Sequence, residues 1–147
     1  MKIKELLSFI LKKLRARTSP DSEINESISP SEVLSRFLFQ SSHFSSNRVK
    51  QAAFLPAKNL ETSVFRKTKL VEFSLYDKTK DLISLERGKK IKAIALIQAD
   101  KIGDAIGLTI EVEESQHKWH ANIVGWPQEK HEQKQLAQIL AKNSSLE

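Results

Sequence analysis

The sequence contains no cysteine, and this absence excludes several classes of protein at once. A disulfide-stabilised scaffold, a zinc or iron–sulfur centre held by thiolates and a catalytic thiol all require that residue. Glycine is scarce as well, with four in the chain, and there is no glycine-rich phosphate-binding loop. The G-x-S-x-G, H-E-x-x-H and D-x-D-x-D signatures are also missing. The sequence therefore predicts no bound cofactor and favours a non-catalytic protein.

Long apolar runs are missing too. No stretch approaches the ~18 uninterrupted apolar residues that a membrane helix needs. The apolar residues near the start are interrupted by Ser8 and followed by Lys12 and Lys13, with no small-residue cleavage site, which is unlike a secretory signal. We expect a cytoplasmic protein, and the alternative is one held peripherally at an anionic membrane surface.

What the sequence does have is an excess of positive charge. The formal net charge is +6 over 147 residues, and the excess is concentrated in residues 1–17 and 33–80. Such a distribution favours an acidic partner, which would be nucleic acid, an acidic protein or an anionic membrane. The length and the 39% of hydrophobic residues fit one modest domain.

The first 17 residues have the pattern of a separate, basic amphipathic helix. One apolar stripe with helical spacing consists of Ile3, Leu6, Leu7, Ile10, Leu11 and Leu14. An isolated helix this short is marginal in water, so we expect the stripe to bind a protein partner or another surface. Residues 18–29 are predominantly polar and predict a linker. Residues 30–147 form the single predicted domain.

The predicted domain opens with a helix-start pattern. Ser29 is placed to cap a helix, Pro30 suits the first helical position, and Glu32 lies three residues after the cap. An apolar face with helical spacing follows, made of Val33, Leu34, Phe37 and Leu38. The sequence therefore predicts a helix that begins at Pro30.

The rest of the domain alternates between strand and helix patterns. Five segments have strand patterns: residues 48–54, 62–66, 91–99, 108–114 and 120–126. One helix is predicted over residues 69–84, with Gly88 just past its end, and another after Pro127. Short connections favour a meander of the last three strands, with residues 91–99 in the centre of the sheet. The predicted fold is α+β: a small, mostly antiparallel sheet of about five strands flanked by helices, preceded by the separate amphipathic helix.

The densest group of polar and aromatic side chains lies in residues 116–127. If residues 120–126 are extended, His120, Asn122, Val124 and Trp126 share one face, and the imidazole, amide and indole suit a nucleotide base or a peptide. The alternative is structural, with His120 and Asn122 bound to backbone groups and Trp126 in the core. His117 and His120 form an H-x-x-H pair, but no third ligand is fixed by spacing, so we predict no metal site.

Basic residues in the first half of the domain are interleaved with phenylalanines. Proteins that bind single strands use this mixture, with cations on phosphates and rings under bases, although phenylalanines at these spacings also suit a core. The candidate binding residues are Arg36, Lys50, Arg66, Lys67, Lys69, His120, Asn122 and Trp126.

A series of short motifs runs through the domain: Ser35-Arg36-Phe37, His43-Phe44, Val49-Lys50, Ala53-Phe54-Leu55-Pro56, Ser63-Val64-Phe65-Arg66 and His120-Ala121-Asn122-Ile123-Val124-Gly125-Trp126-Pro127. Over about residues 33–142, the series resembles a group of small bacterial proteins of unknown function. The resemblance implies a bacterial, intracellular protein with a self-contained domain. It implies no activity, cofactor or catalytic residue.

Three functions compete on this reading. The first is a non-catalytic binding module that recognises nucleic acid or an acidic protein and docks to a second component through residues 1–17. The second is a small enzyme acting on nucleotides or nucleic acid, with a histidine as acid or base. The third is an accessory protein at the membrane surface. The candidate catalytic residues of the second are His43, Lys50, Arg66, His120 and Asn122, and one pocket shared by His43, Arg66 and His120 would favour it.

Overall fold

A computed structural model describes residues 27–147, so the predicted helix of residues 1–17 and most of the predicted linker lie outside the described residues. Within these described residues the strands are β1 (Val33–Leu38), β2 (Phe44–Ser45), β3 (Arg48–Val49), β4 (Thr62–Arg66), β5 (Ala93–Gln98), β6 (Thr109–Val112), β7 (His120–Val124) and β8 (Ser145–Leu146). The α-helices are α1 (Lys67–Glu72), α2 (Tyr76–Arg87) and α3 (Lys130–Lys142). Short 3-10 helices occur at Ser41–His43, Gln51–Ala53 and Ala99–Asp104. Over residues 27–147, no helix is long and apolar enough to cross a membrane.

Six strands form one sheet in the order β6-β7-β4-β1-β5-β8, and every neighbouring pair is antiparallel. This confirms the predicted α+β class and the antiparallel sheet, with six strands rather than about five. The predicted meander is wrong, because β5 pairs with β1 and β8 rather than with β6. The strand predicted to be central, β5, has only the two-residue β8 outside it, whereas β4 and β1 are the central pair.

The helix predicted from Pro30 is also wrong, since Val33–Leu38 is the central strand β1. The local start signal is present: Ser29 N–H donates to a carboxylate oxygen of Glu32 at 3.4 Å, and Glu32 N–H donates to Ser29 O at 3.1 Å. The turn does not continue as a helix, because the next six residues pair with β5 along their whole length. Burial on both faces of a central strand outweighs a capping preference of about 1 kcal/mol.

Two further segments differ from their predictions. Only Arg48–Val49 of the predicted strand 48–54 is extended, and it forms a separate two-stranded ribbon with β2. The predicted helix 69–84 is two helices, α1 and α2, divided at Ser74, whose φ is +57°. Gly88 does end α2, in the left-handed conformation that glycine tolerates best.

The two faces of the sheet carry separate hydrophobic clusters. One includes Leu34, Val64 and Ile123 and is covered by α3 through Leu140. The other includes Phe37, Phe65 and Ile94 and is covered by α1 and α2 through Leu70 and Ile83. Because β4 and β7 pair with Ser63 opposite Asn122 and Phe65 opposite His120, the side chains of Ser63, His120 and Asn122 lie on the α2 side.

Candidate functional site

The structure distributes the candidate residues over separate places. His43, Arg36 and Lys50 lie near the end of the sheet where β1 finishes, and Arg66, Lys67 and Lys69 lie at the start of α1. His120 and Asn122 lie on β7, and Trp126 is buried in the core. The five catalytic candidates therefore do not share one pocket, and neither Arg66 nor His43 lines the cavity that contains His120.

Arg66 is enclosed by an ion pair. Its side chain is 0% exposed, with Nε 2.6 Å from Glu32 Oε1 and Nη2 3.1 Å from Glu32 Oε2. Its guanidinium also lies 5.1 Å from the centre of the Trp119 ring. This arrangement stabilises the fold and leaves Arg66 no access to a ligand.

The other cations at the start of α1 remain at the surface. Lys67 forms an ion pair with the side chain of Glu147, and Lys69 lies 3.5 Å from Glu72. Lys69 also lies 5.8 Å from the centre of the Trp119 ring, and Phe73 stacks on that ring. Both lysines thus have carboxylate partners that reduce their free positive charge.

Asn122 and Trp126 make contacts within the domain. The Asn122 side-chain amide donates to Glu61 Oε2 at 3.0 Å, and the indole N–H of Trp126 donates to Ile123 O at 3.1 Å. Trp126 is 4% exposed and belongs to the larger hydrophobic cluster. Trp126 thus lies in the core, as in the structural alternative, whereas Asn122 binds a side-chain carboxylate rather than a backbone group.

His120 bridges two neighbouring strands through both ring nitrogens. Its Nδ1 lies 2.7 Å from the main-chain oxygen of Glu113, and its Nε2 lies 2.7 Å from Ser63 Oγ. Because a carbonyl oxygen only accepts, Nδ1 must carry the proton, and a neutral ring then accepts at Nε2 from the Ser63 hydroxyl. Burial lowers the pKa of His120 below its ordinary value, and the nearby His117 adds to this. The ring is therefore neutral at neutral pH.

A small cavity opens beside this bridge, between the sheet and α2. It has a volume of about 170 Å³. Its polar lining comes from Ser63, Glu86, Arg87, Glu113, Gln116, His117 and His120. Glu86 Oε2 lies 3.0 Å from His117 Nε2, but Glu86 Oε1 and His117 Nδ1 are buried and have no hydrogen-bond partner within residues 27–147. Such unmet groups are rare in protein interiors and mark places where a ligand or water is expected.

Arg36 lies on β1, the strand that pairs with β4. Its Nε donates to Ala53 O at 3.0 Å and its Nη1 donates to Ser63 O at 2.9 Å. Among the described residues it forms no ion pair with a carboxylate. Burial lowers its pKa to about 10, and the positive charge of Arg87 contributes. Burial and the charge of Arg36 likewise lower the pKa of His43.

Five polar residues of the cavity lining were missed from the sequence: Ser63, Glu86, Arg87, Glu113 and Gln116. Ser63 lies at an alternating position of β4 and points toward α2, but a serine in a strand gave no signal of its own. Glu113 and Arg87 reach the cavity only because the β6–β7 hairpin and the end of α2 meet there. No cluster of three or more histidine or acidic side chains suited to a metal ion occurs in the part of the chain that the structure describes.

Comparisons with known proteins give no match: no protein-family model, curated protein or solved structure is significantly similar to this chain. The resemblance to small bacterial proteins therefore stays a prediction, and the function rests on the geometry.

Proposed function

We propose that this protein is a binding module for single-stranded nucleic acid, and that it contacts phosphate groups at the end of the sheet where Arg36 and Arg87 lie. The observation that carries the proposal is Arg36, a partly buried cation that has no anionic partner within residues 27–147. Docking to a second component through the predicted helix of residues 1–17 remains part of the same proposal.

Arg36 can be compared with Arg66 in the same chain. Both Arg36 and Arg66 insert a guanidinium into the domain, and burying a charge is costly unless a partner compensates it. Arg66 has the carboxylate of Glu32. Arg36 has two carbonyl oxygens and, nearby, the like charge of Arg87. A phosphate at this position would supply the missing negative charge, and it would accept hydrogen bonds from guanidinium nitrogens.

Further cations lie on the segments that adjoin this end of the sheet. Lys92 N–H donates to Leu38 O, and Arg87 lies 5.1 Å from the centre of the Phe39 ring, so β5 and α2 contribute to this end of the sheet. Its exposed cations, none of which forms an ion pair within residues 27–147, are Arg48, Lys50, Arg87, Lys89, Lys90 and Lys92. We call this set, together with Arg36, the basic end. Because the basic end contains seven cations, it favours a nucleic-acid strand with several phosphate groups over one small anion.

Fluorescence anisotropy with a labelled 20-nucleotide single-stranded RNA tests the proposal. We expect binding that weakens steeply with salt, because each phosphate contact releases counterions. Arg36→Met and Arg87→Met should each weaken binding and lower the magnitude of the log–log salt slope by about 0.7. Lys101→Met is the matched control, since Lys101 is exposed beyond the opposite end of β5.

The same titration defines what would contradict the proposal. An absence of any RNA binding at low salt would exclude nucleic acid as the partner. Equal losses in Arg36→Met and Lys101→Met would show that net charge, rather than the basic end, determines binding. Displacement of the RNA by polyglutamate at equal charge concentration would favour an acidic protein instead.

A further inference from the structure

The cavity between α2 and the sheet contains the parts of a nucleophilic site, and we propose that Ser63 is a nucleophile whose general base is His120. The substrate class is an ester with a short acyl group. The inference goes beyond the binding function and does not depend on it, because it stands on the hydrogen bonds of Ser63 and His120 and on the cavity that opens beside them.

The first support is the geometry of the pair. An activated serine has its hydroxyl within about 2.6–3.2 Å of a base, and the base is oriented by a third group. Here Oγ of Ser63 lies 2.7 Å from Nε2 of His120, and the Glu113 carbonyl oxygen fixes Nδ1 as the protonated nitrogen. The Glu113 carboxylate is more distant, with Oε2 3.3 Å from Nδ1. The main chain, rather than the carboxylate, therefore sets the tautomer.

The second support is that Ser63 and His120 both lie at the wall of a cavity. Strands β4 and β7 are already joined by the pairing of Thr62–Phe65 with His120–Ile123, so the ladder does not require the side-chain bond. Ser63 and His120 both line the cavity, whose volume of about 170 Å³ equals that of roughly six water molecules in the liquid. This space suits a short acyl group.

The third support is the polar lining. Arg87 lines the cavity, so its positive charge would stabilise the carbonyl oxygen of an ester as that oxygen becomes negative. His117 is 8% exposed, and its Nδ1 is buried without a partner within residues 27–147, as is Glu86 Oε1. These two atoms are positions at which polar groups of a bound ester would be recognised.

The reaction proceeds in two balanced halves. Ser63 Oγ attacks the carbonyl carbon while its proton passes to His120 Nε2. The tetrahedral adduct collapses, the bond to the alcohol breaks, and Nε2 returns the proton to the alcohol oxygen. Water then attacks the acyl-serine with Nε2 as base, and the released serine oxygen takes the proton back from Nε2. The products are an alcohol and a carboxylic acid.

A fluorophosphonate with a short alkyl chain tests the proposal on the full-length protein. Attack by Ser63 forms the Oγ–P bond, breaks the P–F bond and transfers the hydroxyl proton to His120. We expect a mass adduct on Ser63 that is absent from Ser63→Ala and formed at least about tenfold more slowly in His120→Gln. Glu113→Gln should retain most of the labelling, because its main-chain oxygen is unchanged.

The pH dependence gives a second readout. The charged and titratable groups facing His120 are Glu113 and His117 on the β6–β7 hairpin and Glu86 and Arg87 on α2. Labelling should rise with pH as the ring loses its proton, with a midpoint below the ordinary histidine pKa of about 6.5. No adduct on Ser63 of the folded protein, or a rate unchanged in His120→Gln, would overturn the proposal.

Because His120→Gln could disturb folding, a gain-of-function variant provides an independent test. The chain has no cysteine, so Ser63→Cys places a single thiol beside His120. Its alkylation by iodoacetamide should show a thiolate pKa below the ordinary value of about 8.5. Ser84→Cys, at a half-buried position of α2, is the control. Identical pH profiles for the two thiols would also refute the proposal.

Discussion

Glu32 and Arg66 form a buried ion pair that joins the turn before β1 to the end of β4. The Nε–Oε1 distance is 2.6 Å, and the side chains are 3% and 0% exposed. The two residues are 34 positions apart, so the pair couples segments that are distant in the sequence. Glu32 is the residue directly before β1, which begins at Val33. The ion pair therefore holds the start of this central strand against the end of β4.

Removal of one member of this pair should be severely destabilising. Glu32→Gln removes the carboxylate charge that lies against the buried Arg66 guanidinium, and we expect a loss of about 3–5 kcal/mol in the free energy of unfolding. Urea denaturation measures this loss. The double variant Glu32→Gln/Arg66→Met removes both charges and should recover a substantial part of it. A loss below about 1 kcal/mol in Glu32→Gln would show that the pair contributes little.

Gly125 should tolerate no side chain. Its φ is +93°, and a Cβ added there would lie 2.2 Å from the main-chain oxygen of Gly107. Backbone atoms cannot yield as a flexible side chain does, so Gly125→Ala should destabilise the domain by more than about 1 kcal/mol. Gly103→Ala is the matched control, because its φ is ordinary and its added Cβ meets nothing within 4 Å. Equal melting temperatures for the two variants would contradict this expectation.

Stability should fall as the pH drops below 6.5. Burial lowers the pKa of His120 and of His43 in the folded state, so the unfolded chain binds protons more readily than the folded one. Stability is therefore complete above the ordinary histidine pKa of about 6.5 and is lost as the pH falls toward the folded-state values. We expect a lower melting temperature at pH 5 than at pH 7, and a smaller decrease in His120→Gln. An unchanged melting temperature over this window would contradict the argument.

The carboxylates affect the stability in a different pH range from the histidines. Hydrogen bonds from the N–H groups of His131 and Glu132 lower the pKa of Glu129. For Glu113, burial acts to raise the pKa, but hydrogen bonds from Ser115 and the charge of His120 outweigh it and the net shift is downward. Lowered carboxyl pKa values cost stability only below about 4.5, so the window from pH 5 to 7 reports on the histidines.

A chain beginning at Thr18 should fold as well as the full-length protein. It lacks residues 1–17 but keeps Ser27, whose carbonyl oxygen accepts from Arg66 Nη2 at 3.3 Å, and Ile28, which packs against the larger cluster. A chain beginning at Ser29 loses both contacts and should melt at a lower temperature. Calorimetry compares the three chains. Loss of a cooperative transition in the chain that begins at Thr18 would show that residues 1–17 belong to the core.

Several elements followed from the sequence alone because their signals are local. Strand β4 was predicted with its observed bounds, Gly88 was expected just past the end of a helix, and a helix was predicted after Pro127. In the last case Glu129 caps α3 by accepting from the N–H groups of His131 and Glu132. Turn preferences, caps and side-chain alternation act over a few residues, so one sequence suffices to detect them.

Only the tertiary structure determined the features that depend on contacts between residues distant in the sequence. Pro30 and Glu32 carry a helix start, yet the next residues form the central strand because β5 and β4 cover both of its edges. The contact of Ser63 with His120 joins residues 57 positions apart and exists because β4 pairs with β7 in one register. The difference between the buried charges of Arg66 and Arg36 also arises only on folding, since composition does not determine which arginine meets a carboxylate. Burial and strand pairing are properties of the whole chain, and they set the chemistry that residue types leave open.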